Sequence, residues 1–203
     1  MRQRGFTLVE LMVTLTILVL LMVAAMPSIG TWLDNTRIRN EGDSIMTGLQ
    51  TARGEAVRRN ENVSFWLVQL TNPATLANDC TLSDTSGSWM VSVGGPNGHC
   101  ADDATSTDPT VNSAGVIAGR PMGSDSLHVS VKAVQANGTP GTYVTFNGFG
   151  RVASSGSITK IDFNGTGGGT YRKLRVMVST TGAVRMCDPA VTSDSDPRKC
   201  AQP

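Results

Sequence analysis

Residues 6–26 form twenty-one consecutive positions that are almost wholly apolar and carry a single charged side chain, Glu10. At 1.5 Å per residue a helix over this run is long enough to span a bilayer. The leader before it, Met-Arg-Gln-Arg-Gly, is basic and only five residues long. A secretory signal has its cleavage site after the apolar region. Here the processing-like junction, Gly5-Phe6, precedes it, so the apolar helix is expected to stay in the product. Arg2 and Arg4 favour a cytoplasmic leader. The alternative is a simple signal anchor in which Glu10 is tolerated near the interface.

Beyond Pro27, expected to interrupt the helix because proline removes a backbone donor and crowds the preceding turn, the pattern becomes amphipathic. Ile38, Ile45, Leu49, Ala52 and Ala56 recur at gaps of seven, four, three and four, which is helical spacing. Arg37, Arg39, Asp43, Gln50, Arg53 and Arg58 fall mostly off that stripe. Gly42, Gly48 and Gly54 weaken the helix but permit close packing against a sheet. The helix is expected to end near Asn60.

The remaining residues, 61–203, read as short strands separated by Gly, Asn, Asp, Ser and Thr clusters. Strands are expected over 63–70, 88–93, 126–134, 142–147, 157–163, 172–179 and 182–187, and polar surface loops over 71–87 and 94–125. With 22 glycines and 5% aromatic residues, the composition is turn-rich and unlike a helical bundle. The net charge of +1 means that any basic patch must be local. Four cysteines, Cys80, Cys100, Cys187 and Cys200, lie in loop-like sequence without C-x-x-C spacing. An even count in an exported domain indicates two disulfides. Three pairings are open. The local ones, Cys80 with Cys100 and Cys187 with Cys200, are favoured because each closes a polar loop.

The residues carry a family resemblance. Gly5-Phe6-Thr7-Leu8-Val9-Glu10 resembles the G-F-T-L-x-E processing signature of type IV prepilins and type II secretion pseudopilins. The helix text LQTARGEAVRRNENV resembles the L-x-x-A-R-x-E-A-x-x-R-N-x-x-V stretch of the GspH/FimT class. Phe146-Asn147-Gly148-Phe149-Gly150-Arg151 and LRVMVSTTGAVRMCDP follow in that class's order. The likeness covers nearly the whole chain, weakly over 71–125. It implies cleavage between Gly5 and Phe6 by a prepilin peptidase, N-methylation of Phe6, and contact of Glu10 with a neighbouring subunit's amino terminus. A carboxylate among lipid tails costs about 2.5–3.5 kcal/mol, less near the interface, and pairing with that amine offsets the cost only in the correct register. Glu10 and Pro27 are accordingly the expected assembly residues.

The resemblance also implies an α+β pilin fold, a long N-terminal helix packed against a C-terminal antiparallel β domain. The expected boundaries are 1–5 for the cleaved leader, 6–26 for the membrane part, 27–60 for the amphipathic part, and 61–203 for the β domain. The class contains type II secretion pseudopilins and minor type IV pilins. The terminal cysteine pair and the Cys-Asp-Pro after the last strand are closer to the pilus members. The function expected is that of a minor pilin in a tip or priming complex, supporting pilus assembly and twitching or adhesion. Its partners would be other minor and major pilins, the prepilin peptidase and methyltransferase, and the inner membrane, with the β domain in the periplasm before assembly.

No catalytic constellation, cofactor or metal is expected. His99 lies beside Cys100, Asp102 and Asp103, but neighbours on one short loop rarely converge on an ion. The Gly-rich turn at 165–169 lacks the G-K-[ST] ending of a phosphate loop. One basic constellation stands out. Strand alternation points Lys173, Arg175 and Arg185 to one solvent face, with Arg198 and Lys199 beside Cys200. Clustered cations attract phosphate without regard to base sequence. Some pilins of the class bind DNA for uptake through a C-terminal G-R-x-R motif. Here it stands as Gly182-Ala183-Val184-Arg185, with only the second arginine kept. DNA binding and type II secretion are therefore the alternative readings.

Overall fold

The computed structural model describes residues 5–200; the leader arginines Arg2 and Arg4, and the side chains of residues 24–28 with that of Pro27, lie outside the described residues. One helix, α1 (Leu8–Arg59), runs the length of the molecule. It does not break at residue 27, contrary to expectation. A proline's φ is itself helical, and a local cost of about 3 kcal/mol for the lost bond and the crowded carbonyl does not stop a helix of 52 residues. At its far end Asn60 adopts the left-handed conformation, φ 52°, and its N–H donates to the carbonyls of Ala56 and Val57, which stops the helix where expected.

Two antiparallel sheets wrap the second half of α1. In the first, β1 (Val63–Gln69) pairs with β3 (Trp89–Ser92) on one side and β6 (Tyr143–Phe146) on the other. β4 (Val116–Arg120) continues beyond β3, and the two-residue β2 (Thr81–Leu82) meets the end of β1. The second sheet is ordered β5 (Val129–Gln135), β7 (Ile158–Gly165), β8 (Leu174–Val178) and β9 (Val184–Cys187). Backbone bonds from Val152 to Thr180 and from Ala153 to Thr145 join the two. The fold is α+β, as expected.

Neither β2 nor β4 was expected, and residues 126–128 belong to a 3₁₀ turn (Gly123–Leu127) and its cap rather than to β5. β2 is too short for a pattern, and β4, Val-Ile-Ala-Gly-Arg, ends on a glycine and an arginine inside a polar stretch.

All five residues of the helical stripe, Ile38, Ile45, Leu49, Ala52 and Ala56, are buried against Phe65, Phe146 and Phe163. Two of the three helix glycines explain how closely the layers approach. A Cβ on Gly48 would come within 2.7 Å of Phe65 and 2.8 Å of Trp89, and one on Gly42 within 2.7 Å of Leu174. Gly54 faces open space, so close packing does not account for it. A second apolar cluster lies on the other face of the first sheet, where Val68 and Met90 meet the Cys80–Cys100 disulfide. The second disulfide is Cys187–Cys200. Both are the local pairings.

Candidate functional site

The two halves of α1 differ in what covers them. Thr7 caps the N-terminus: its hydroxyl accepts from the Glu10 N–H at 3.2 Å, while the Glu10 carboxylate accepts from the Thr7 N–H at 3.5 Å. This is a capping box, which satisfies two orphan donors reciprocally. The T-x-x-E spacing signals it, although the sequence pointed to Glu10 as an assembly group or a charge tolerated near the interface rather than as a cap. Gly5 and Phe6 lie just outside the helix, and Phe6 is 80% exposed.

From Leu8 to Val23 every side chain is exposed, and all but Glu10, Thr14 and Thr16 are apolar. Thr14 and Thr16 donate to the carbonyls of Leu11 and Val13, which hides their polarity within the helix. Among the described residues no helix is long and apolar enough to cross a membrane, the described side chains of this stretch ending at Val23. A contiguous apolar surface of this size is far beyond what an isolated chain in water tolerates.

Two of the basic residues of the C-terminal hairpin, Arg175 and Arg185, share a face. Val176 and Val178 are buried in the core, and Leu174, Val184 and Met186 pack against it. The register pairs Arg175 with Cys187 and Met177 with Arg185, placing Arg175 and Arg185 on one face. Their charges are largely matched. Arg175 grips Asp162 of β7 through two bonds of 2.6 and 2.9 Å, and Arg198 grips Asp196 at 3.1 and 2.6 Å. Bonding to Arg198 holds the Asp196 carboxyl down at about 2. Lys199 pairs with Asp194. Arg185 donates to the carbonyls of Lys199 at 2.9 Å and Pro197 at 3.5 Å, clasping the disulfide-closed loop over the edge of β9. Lys173 is exposed.

Two features went unseen in the sequence. Glu41 is 1% exposed, and neither carboxylate oxygen has a hydrogen-bond partner. The gap of seven between Ile38 and Ile45 was its signal, since position 41 completes the stripe and carries an acid. The other is a groove where the second sheet first meets α1, lined by Trp32, Arg39, Arg172, Leu174 and Met186.

A helix left bare over one half and sheathed by antiparallel sheets over the other defines a pilin-type subunit. Residues 41–182 match the family model for the Type II transport protein GspH, and residues 1–26 match the prokaryotic N-terminal methylation motif. The chain belongs to the GspH family, whose members are pilins, structural proteins rather than enzymes. Among solved structures it is similar to the type IV minor pilin FimU of Pseudomonas aeruginosa in two crystal forms. One match has 14% identity and a TM-score of 0.49, covering 81% of this chain and 98% of that one. The other has 14% identity and a TM-score of 0.44, covering 77% and 98%. Comparison with curated proteins gives no match.

Proposed function

We propose that this chain is a minor pilin, held in the inner membrane by residues 6–26 and then drawn into a type IV pilus with other pilins as part of a tip or priming complex. The observation that carries this reading is the exposed apolar half of α1 with Glu10 at its start. Such a surface needs lipid or other helices around it. The methylation motif supports processing between Gly5 and Phe6, leaving a methylated amine at Phe6. In the free subunit Glu10 caps its own helix. In a filament it exchanges the long Thr7 N–H contact for the amine of a neighbour, a stronger, charge-assisted bond. The β domain, exported with its disulfides, faces the periplasm and then the medium.

A strain lacking the chain should lose surface pili or twitching and regain them on complementation. Sheared pili from the complemented strain should contain the processed protein.

The family description favours a second reading, a minor pseudopilin of type II secretion. In that case the deletion stops enzyme secretion and leaves twitching intact.

A further inference from the structure

The groove at the start of the sheathed half of α1 has a volume of about 500 Å³. Trp32, Ile38, Leu174 and Met186 form its apolar side, Arg39 and Arg172 its basic rim, and the Asp188 carboxylate also lines it. Trp32 is 65% exposed. Arg198 also reaches the groove but is held in its fork with Asp196. The other two arginines are loosely engaged. Arg39 comes no nearer than 3.7 Å to Asp43, and Arg172 makes a 3.4 Å contact to Asp188. Their side chains are 73% and 54% exposed. Arg172 is nevertheless fixed in place, because its backbone N–H donates to Asn35 Oδ1 of α1 at 2.8 Å.

Position along the helix suggests what such a site meets. No charged residue occurs between Glu10 and Asp34. The uncharged run continues past residue 26 to Leu33, so the spanning part can shift outward from 6–26 with Glu10 at the inner interface; a helix over residues 11–33 is about 34 Å long, close to the hydrocarbon thickness of about 30 Å. Trp32 then falls at the outer interface, where tryptophan is favoured. Arg39 lies roughly 10 Å further along the axis. Helical side chains lean towards the N-terminus, and an arginine's long stem extends that reach towards the bilayer. The domain therefore opens a basic, aromatic-edged groove onto the headgroup layer.

We propose that this groove binds the headgroup of an anionic phospholipid while the chain is in the membrane. Arg39 and Arg172 hold the phosphate, and Trp32 covers the glycerol end. The site rests on the reading that the N-terminal half of α1 spans the membrane, and adds to it a lipid preference and an orientation of the β domain.

The full-length protein is reconstituted into vesicles of phosphatidylcholine alone and of an equal mixture with phosphatidylglycerol. Flotation with both kinds tests the spanning reading by itself. Native mass spectrometry of protein extracted from the mixed vesicles then counts the lipids retained. Phosphatidylglycerol should be retained over phosphatidylcholine by roughly thirtyfold, the scale expected of two arginines at an anionic surface. R39Q/R172Q should float equally well but retain the two lipids within about twofold of each other, while R39K/R172K keeps part of the preference. Equal retention by the wild type, or an unchanged preference in R39Q/R172Q, overturns the site and leaves the spanning reading standing. Displacement of the retained lipid by inorganic phosphate shows a soluble-anion site and overturns the lipid assignment. Failure to float with either vesicle overturns the spanning reading, and the site with it.

Discussion

Glu41 of α1 lies directly beneath Gly87, so close that a methyl group built on Gly87 would collide with Glu41 Oε1. The same methyl would also sit 2.8 Å from Met122 Sδ. The glycine thus makes room for a carboxylate that has no hydrogen-bond partner. Burial pushes the Glu41 pKa from 4.5 to about 7; the charge of Arg120 opposes the rise, and that of Asp125 adds to it.

Because the folded pKa is raised, the folded chain holds this proton more tightly than the unfolded chain does. The contribution is fully present below pH 4.5 and is lost as pH rises through about 7, a change of about 3 kcal/mol at most. Urea unfolding of E41Q should show higher stability than wild type at pH 8 and a flatter pH profile between 4.5 and 7. Parallel profiles for the two proteins contradict this account.

The helix glycines separate packing from propensity. G48A should destabilise by about 1–3 kcal/mol, because its methyl meets the rings of Phe65 and Trp89. G54A meets nothing within 4 Å and should stabilise by about 0.5–1 kcal/mol. Thermal melts of the two variants against wild type check both signs.

The C-terminal loop is held at three points: the Cys187–Cys200 disulfide, the bridge between Asp188 and Lys199, and the Arg185 clasp. C187S/C200S opens a loop of 13-residue separation and should cost about 3 kcal/mol in the chain-entropy description. Hydrogen exchange should accelerate at the Asp188 and Lys199 amides and stay slow in β7.

On the basic face, the carboxylates of Asp162, Asp194 and Asp196 offset much of the positive charge. Gel retardation of duplex DNA by the wild-type protein should therefore be weak and vanish near physiological salt. D162N/D194N/D196N should shift DNA more strongly. Strong wild-type retardation that persists in salt would contradict this and favour the DNA reading.

Much of this architecture was legible in the residues, for a physical reason. The stripe from Ile38 to Ala56 repeats with the helix itself, and the alternation in β5 is local, so neither needs knowledge of a partner. β1 was found by its apolar content, but its burial on both faces follows from the disulfide-pinned loop behind it. The outward cations of the hairpin could be read from alternation. Their neutralisation could not, since Asp162 lies on another strand and meets Arg175 only through the sheet register. Glu41 escaped because it is covered by the loop carrying Gly87, which is distant in sequence. Position 27 was misjudged because a local rule about proline was applied to a helix long enough to continue past it.

The account stands on Glu10 exchanging its own helix cap for a neighbour's amine. The most direct test is the amount of E10A recovered in sheared pili relative to wild type, with equal membrane levels of the two proteins verified beforehand. The account predicts a fall of at least about tenfold, the effect expected from loss of a charge-assisted contact in a low-dielectric setting. Incorporation of E10A at the wild-type level would contradict it.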